Sequence, residues 1–364
     1  MLTAPIIAYV SALAATIALV PLSVAVAHRT GAVAHPRADR WNRRAVPALG
    51  GVAIFGGVVA GTALLPLDVT DRLALLVGLV IVFGIGLIDD IGKISPVARL
   101  AGEAGLGATF VWVVGGSLEP ELRLAAVLLG AIAIPVAMNA TNLTDNADGL
   151  AATLALVTAG TLAAAGSIES LASPNASVAI VVALSATAFL LFNRPPARVF
   201  MGDCGSLTLG FALAAVSVLL VRDALLIPGS VHVATAMAVP VAWAFQVGDL
   251  AMVVVTRWRR GLSPFSGGVD HTSHRLLAAG ITPVVMIAGI GLFAGVVGAS
   301  AAIAAAFFGG FRLMATVAIS LLILVAAFEI MVAWRLPASG DTSVRPAHPK
   351  RQRPASVEHP ELSP

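Results

Sequence analysis

Long apolar runs separated by short polar segments set the pattern of this chain from end to end. A bilayer-crossing helix needs about 20 apolar residues. Runs of that kind fall near 5–27, 47–66, 72–88, 99–114, 122–138, 149–166, 177–192, 205–221, 231–256, 281–308 and 312–334. The pattern predicts an all-α, polytopic integral membrane protein with about 11 transmembrane helices, 10 being the alternative count. The first run lacks a basic leader and a clean small-residue cleavage site, so it is expected to be a retained span rather than a signal peptide. Composition agrees: 58% of residues are hydrophobic, 11% are charged and the mean hydropathy is +0.95, values outside the range of soluble domains.

The polar segments carry two further signals. Lys and Arg are held back on the cytoplasmic side of a membrane. With the N-terminus outside, all but Arg72, Arg123, Arg222 and Arg312 of the 22 basic residues fall inside, and the C-terminus is then cytoplasmic. The formal charge of +3 and pI near 9.7 therefore reflect topology and contact with anionic headgroups. No nucleic-acid motif accompanies them. Residues 1–335 read as a single transmembrane domain, and residues 336–364, rich in Pro, Ser and charge, as a disordered cytoplasmic tail.

The second signal is a difference between faces. The outside loops are short and plain, whereas the inside ones are dense in polar groups: residues 39–51 (DRWNRRAVPALGG), 89–103 (DDIGKISPVARLAGE), 139–150 (NATNLTDNADGL), 193–210 (NRPPARVFMGDCGSLTLG) and 267–276 (GGVDHTSHRL). A carboxylate at membrane depth costs roughly 2.5 to 3.5 kcal/mol on insertion scales and marks function by default. Asp89, Asp90, Asp145, Asp148 and Asp203 cannot crowd one site without a cation. Hard oxygen donors, with Asn142 as a neutral partner, suit Mg²⁺ or Mn²⁺.

If Asn142, Asp145 and Asp148 share a helix, their spacing places them within an arc of roughly 120°. The bland alternative for that segment is a polar cap on the run beginning at Gly149. Gly202, Gly205 and Ser206 bracket Asp203 at the head of a run, which predicts a helix N-terminus facing whatever Asp203 holds. Gly57 and Gly61 have a spacing that serves helix packing. His271, His274 and Arg275, with Arg257, Arg259 and Arg260 nearby, suggest a flexible basic loop closing over a nucleotide diphosphate, the alternative being a solvated positive-inside loop. The single cysteine, Cys204, lies elsewhere, so zinc is not expected.

These segments resemble, in order, five motifs of the polyprenyl-phosphate N-acetylhexosamine-1-phosphate transferases, glycosyltransferase family 4, over roughly residues 39–276. Asp89, Asp90, Ser95, Pro96 and Arg99 resemble its DD segment, and Asn139, Asn142, Asp145, Asp148 and Gly149 its NxxNxxDxxDG segment. Asn193, Pro196, Ala197, Phe200, Met201, Gly202, Asp203, Gly205 and Ser206 resemble its NxxPAxxFMGDxGS segment. Residues 271–275 resemble its histidine loop, and Pro47, Gly50 and Gly51 its first cytoplasmic motif.

The resemblance implies transfer of a sugar 1-phosphate from a UDP-sugar to polyprenyl (undecaprenyl) phosphate at the cytosolic face of a bacterial plasma membrane, with release of UMP. By the same resemblance Asn142 and Asp203 hold Mg²⁺, and Asp145 and Asp148 border the uridine and the metal. Asp89 and Asp90 orient or deprotonate the lipid phosphate, with Asp203 the third catalytic carboxylate. Arg99, His271, His274 and Arg275 contact phosphates, and Asn139, Asn193 and Phe200 belong to the substrate-binding set. A homodimer is compatible with all of this.

Asn146 stands where the family usually has glycine, Cys204 where it often has serine, Asn42 where many members have histidine, and the histidine loop has two histidines rather than three. These departures bear on the sugar more than on the reaction. The HTSHR form favours a UDP-N-acetylglucosamine-type substrate over a muramyl pentapeptide. A secondary transporter would instead place its site at the bilayer midplane in repeated halves, and a CDP-alcohol phosphotransferase would show a denser aspartate run.

Overall fold

The computed structural model describes residues 3–34, 45–92, 94–167, 173–226, 230–265, 268–307 and 311–336. Every apolar run is helical within them. The helices are α1 (Thr3–Thr30), α2 (Gly51–Leu64), α3 (Val69–Gly92), α4 (Pro96–Val114), α5 (Pro120–Thr144), α6 (Leu150–Gly166) and α7 (Pro174–Asn193). They continue with α8 (Gly202–Leu226), α9 (Ser230–Ala242), α10 (Ala244–Arg259), the short α11 (Thr272–Ala278), α12 (Pro283–Phe307) and α13 (Phe311–Arg335). Among the described residues eight helices are long and apolar enough to cross a membrane, or nine if the bent pair α9–α10 is one span; α2 and α6 are shorter, at 14 and 17 residues. The protein is thus a helical, multi-pass membrane protein.

Starts and breaks follow local chemistry. Proline, whose missing N–H is no loss in a first turn, opens α4, α5, α7 and α12. Ser95 and Ser173 cap α4 and α7 by accepting the N–H groups of Ala98 and Ala176. The run at 231–256, expected as one span, bends by 45° between α9 and α10. Pro240, inside α9, cannot donate to the preceding turn. The Ala242 carbonyl at the break accepts the Thr158 hydroxyl of α6 at 3.0 Å, and Trp243 Nε1 donates to Ser217 of α8 at 3.0 Å. Neighbouring side chains supply the polar partners that hydrocarbon cannot.

At the centre stands α8. Its apolar window is 89% buried, against 22% for α13, because α2, α3, α5, α6, α7 and α9 surround it. The core around it includes Phe189, Leu207, Phe211 and Leu219, with Phe110 edge-on to Phe211. Gly57 and Gly61 pack as expected: a side chain at either would strike α1 at Ala12, and at Gly61 also Val181 of α7.

Two polar layers cap the bundle. At the end where α3 begins, Arg222 of α8 forks onto Asp71 at 2.6 and 2.9 Å and bonds Asp223, which accepts from Asn175 of α7 at 2.6 Å. At the end where α3 finishes lie the motif-bearing segments. One departure from an all-α architecture is found there: β1 (Val33–Ala34) pairs antiparallel with β2 (Val46–Pro47). The segment after β2 is stapled to the chain before α8, with Phe200 N–H donating to Pro47 O at 2.8 Å and the Gly50 and Gly51 N–H groups donating to Phe200 O and Met201 O at 2.9 Å. Gly51 must be glycine for this approach, because a Cβ would overlap the Gly205 backbone. Asn42, much of the segment between α1 and α2, Lys93, and the tail beyond Leu336 lie outside the described residues.

Candidate active site

Successive residues on a helix point about 100° apart, so the carboxylates ending α3 face different partners. Asp89 accepts the Ile94 N–H at 2.7 Å, which closes the turn into α4, and Arg99 Nη1 at 2.7 Å. Asp90 accepts the Asp203 and Cys204 N–H groups at 2.8 and 3.0 Å. It is therefore the cap of α8, supplied from another helix, and takes the place at the dipole's positive end. Two amides of the helix start expected to face the ligand are thus held by Asp90. Gly202 adopts φ +68 there, and a side chain on it would meet the Asp90 oxygens.

Arg99 gathers the cluster. Its Nη2 donates to Asn139 Oδ1 at 3.0 Å, its Nε lies 3.5 Å from buried Glu103, and its Nη1 lies 3.5 Å from Asp203. Asn139 donates to Glu103 and to Pro135 O. Asn142 Nδ2 donates to Asp203 Oδ1 at 2.7 Å and to Ser206 Oγ at 2.9 Å. Residues 89, 99, 139, 142 and 203, far apart in sequence, thus form one contiguous polar network on α3, α4, α5 and α8.

The predicted arc of Asn142, Asp145 and Asp148 on a helix is not what the chain forms. Helix α5 ends at Thr144, Asp145 is its C-cap and Asp148 lies in the link to α6. Asn146 ends the helix by donating to the Leu143 carbonyl at 2.7 Å, and Gly149, at φ +78, turns the chain into α6. Asp145, Asn146, Asp148, Asn193, Arg198 and Phe200 instead line a cleft of about 920 Å³, which His28 of α1 and Leu277 of α11 also border. Asp148 accepts the Ala197 N–H at 2.9 Å. Asn193 is 1% exposed and brackets the wall, accepting the Gly149 N–H and donating to Val199 O.

The histidine segment is a short helix with little exposed surface rather than the flexible loop expected, and of its residues only Leu277 borders the cleft, not His271, His274 or Arg275. His271, His274 and Arg275 are all at most 3% exposed. Asp270 explains the order, since it pairs with buried Arg257 at 3.3 Å and with Arg260 at 2.9 Å. Arg275 donates to the carbonyls of Asp270, Ala333 and Leu336, so its guanidinium ties α11 to the end of α13. Burial lowers its pKa from the ordinary value, opposed by Asp270. Ser273 donates to Asn146 at 2.6 Å, which joins this segment to the cleft.

Three buried acids escaped the sequence reading. Glu103 had a legible signal, an i, i+4 spacing from Arg99 at a helix start. Asp249 of α10 and Glu329 of α13 sit inside apolar runs and were passed over; Asp249 meets His271, and Glu329 accepts the Thr272 hydroxyl.

Fold and site together define a membrane-embedded enzyme whose polar machinery collects at one end of the bundle. A family model described as glycosyl transferase family 4 matches residues 72–221. The chain is 34% identical over 316 residues to the decaprenyl-phosphate N-acetylglucosaminephosphotransferase of Mycobacterium tuberculosis, covering 76% of each protein. It is 28% identical over 294 residues to a probable undecaprenyl-phosphate N-acetylglucosaminyl 1-phosphate transferase of Bacillus subtilis, covering 76% of this chain and 78% of that one. A phospho-N-acetylmuramoyl-pentapeptide-transferase of Bacillus mycoides matches at 33% over 223 residues, 53% of this chain and 67% of that one. The chain belongs to glycosyl transferase family 4, as its five motifs lead one to expect.

Proposed function

We propose that this protein transfers N-acetylglucosamine 1-phosphate from UDP-N-acetylglucosamine to a polyprenyl phosphate of the undecaprenyl type, releasing UMP, as the first membrane step in building a cell-surface glycan. The observation that carries the reading is the contact of Asn142 with Asp203 beside Arg99, flanked by a cleft large enough for a nucleotide sugar. The relatives named for N-acetylglucosamine transfer favour that sugar over a muramyl pentapeptide.

The donor set fits Mg²⁺. Among the described residues no group of three or more His, Cys, Asp or Glu side chains forms a metal cage, and Mg²⁺ is commonly held by one or two carboxylates with substrate phosphates and water completing the shell. Asp203, whose side chain is 36% exposed, and the amide oxygen of Asn142 would hold it; the amide nitrogen now faces Asp203, so the amide turns over to do so. When bound, the ion offsets charge on the diphosphate and leaving UMP. Arg99, already anchored by Asp89 and Asn139, offers a fork to a phosphate. Asp89 and Arg99 then position the attacking lipid phosphate, and Phe200 with Asp145 and Asp148 lines the nucleotide's cleft.

The wider arrangement follows the same reading: eleven spans including α2 and α6, the N-terminus outside, the site at the cytoplasmic interface of the plasma membrane, and residues 1–335 as one catalytic domain followed by a tail. The test is to incubate purified protein with Mg²⁺, undecaprenyl phosphate and a panel of UDP-sugars and measure UMP. Turnover is expected with UDP-N-acetylglucosamine, and Asp203→Asn or Asn142→Ala should lower it by roughly 100-fold or more. No UMP from any sugar with folded protein rejects the function, and wild-type turnover in both variants rejects the ion's placement.

A further inference from the structure

His271 is held by a partner the reaction scheme does not use. Its Nδ1 lies 2.8 Å from Asp249 Oδ2, while Asp249 Oδ1 accepts the Thr272 N–H at 2.8 Å. Asp249 and His271 are 2 and 3% exposed. Thr272 is pinned a second time, its hydroxyl donating to Glu329 on α13. Asp249 lies on α10, so the carboxylate that grips the ring is fixed by the helix beyond the 45° bend and by a backbone N–H of the ring's own chain neighbour.

A carboxylate accepts and does not donate, so the ring nitrogen facing it carries the hydrogen. That choice fixes the other nitrogen as well: Nε2 is the acceptor of the neutral ring and a donor only in the imidazolium. A histidine without such a partner samples both tautomers and both ring orientations. A merely packed histidine would not need a carboxylate whose second oxygen is itself engaged. The residues after His271 reach the cleft, through Ser273 on Asn146, which lines it, and through Leu277, which borders it, while the ring itself is buried.

We propose that Asp249 is a positioning residue for the transfer reaction: by holding Nδ1–H of His271 it keeps Nε2 as the ring's hydrogen-bond acceptor, available to a protonated oxygen of the substrates. The proposal rests on the function argued above, and no part of it passes through the metal. Asp249→Asn is the diagnostic change, because the amide oxygen can still accept the Thr272 N–H while the NH₂ group turns a donor toward Nδ1 and drives the ring's hydrogen to Nε2.

Two measurements test it. In the UMP assay, Asp249→Asn should lower kcat roughly 10- to 100-fold, by analogy with loss of the partner that orients a metal-bound histidine, with a smaller change in KM for the UDP-sugar. In a His271→Ala background the same change should add nothing. An equal loss in that background, or wild-type kcat in Asp249→Asn or in His271→Ala, overturns the proposal. Independently of activity, [¹⁵N]histidine spectra of the protein in micelles, with His271 assigned by its disappearance in His271→Gln, should show the Nδ1–H tautomer in the wild type and Nε2–H in Asp249→Asn. An Nε2–H ring in the wild type overturns the proposal even if the Asn variant fails to fold. Absent wild-type turnover would reject the functional reading, while the spectra would still decide what Asp249 does to the ring.

Discussion

Replacing Asp90 with alanine removes the acceptor for two backbone N–H groups at the start of α8, those of Asp203 and Cys204. Loss of an N-cap costs roughly 0.5–2 kcal/mol, and hydrogen bonds to a charged group contribute about 1.5–3 kcal/mol each. Asp90 keeps more than a third of its surface open, so water replaces part of what is lost, and the expected cost is about 2 kcal/mol. Asp90→Asn retains one acceptor oxygen and sets an NH₂ group against the other amide, so it should fall between alanine and wild type. Asp89→Asn should behave differently: Arg99 keeps Glu103, Asn139 and Asp203 around it, and the loss should appear in turnover more than in stability. The assay is unfolding in mixed micelles against SDS mole fraction, read beside UMP release from the same preparations. The reasoning fails if Asp90→Ala unfolds at the wild-type SDS fraction and yet loses turnover. Asp90 would then be a chemical group acting on the lipid phosphate, and its contacts with α8 incidental.

At the other polar layer, Arg222→Ala strands Asp71, whose side chain is 8% exposed; breaking a buried pair from one side costs about 3 kcal/mol. The SDS midpoint should fall, while kcat of the folded fraction stays at the wild-type value because the site lies at the opposite end of the bundle. Gly51→Ala drives a methyl into the Gly205 backbone, whereas a Cβ at Gly160 meets nothing within 4 Å. The first should destabilise by about 1–3 kcal/mol and the second should be neutral or mildly stabilising, again by SDS unfolding. Equal midpoints for the two alanine variants would refute the docking of the segment after β2 on α8.

Helices were legible because hydrocarbon allows the backbone little else; all eleven apolar runs became helical segments, and their ends erred by a few residues. What the pattern could not carry was anything set by a single residue's neighbours. The bend after Pro240 is stable because Thr158 and Ser217 come from other helices, and the β1–β2 pair forms because residues 45–51 meet the chain at Phe200, a partner about 150 positions away. Motif spacing correctly grouped Asp89, Arg99, Asn142 and Asp203. It could not say that Asp90, adjacent to Asp89, turns to another helix, nor that Arg275 serves α13. Asp249 and Glu329 were hidden by the rule that made the spans visible, since one acid inside an apolar run barely changes its average.

Three carboxylates, those of Asp89, Glu103 and Asp203, stand within 3.5 Å of one guanidinium, that of Arg99. Like charges about 4 Å apart repel by about 4 kcal/mol at the effective dielectric of a protein near its surface, so one arginine leaves such a group short of positive charge when all three are ionised. The hydrogen bonds to Asn139, Asn142 and Ile94 N–H reduce the deficit without closing it. In the proposed reaction, a site built this way favours further cations and would repel two phosphorylated substrates until a cation is present. That order, in which positive charge precedes the joining of two anions, supports a divalent ion at Asp203. It also explains why Arg99, rather than any carboxylate, sits at the centre of the network.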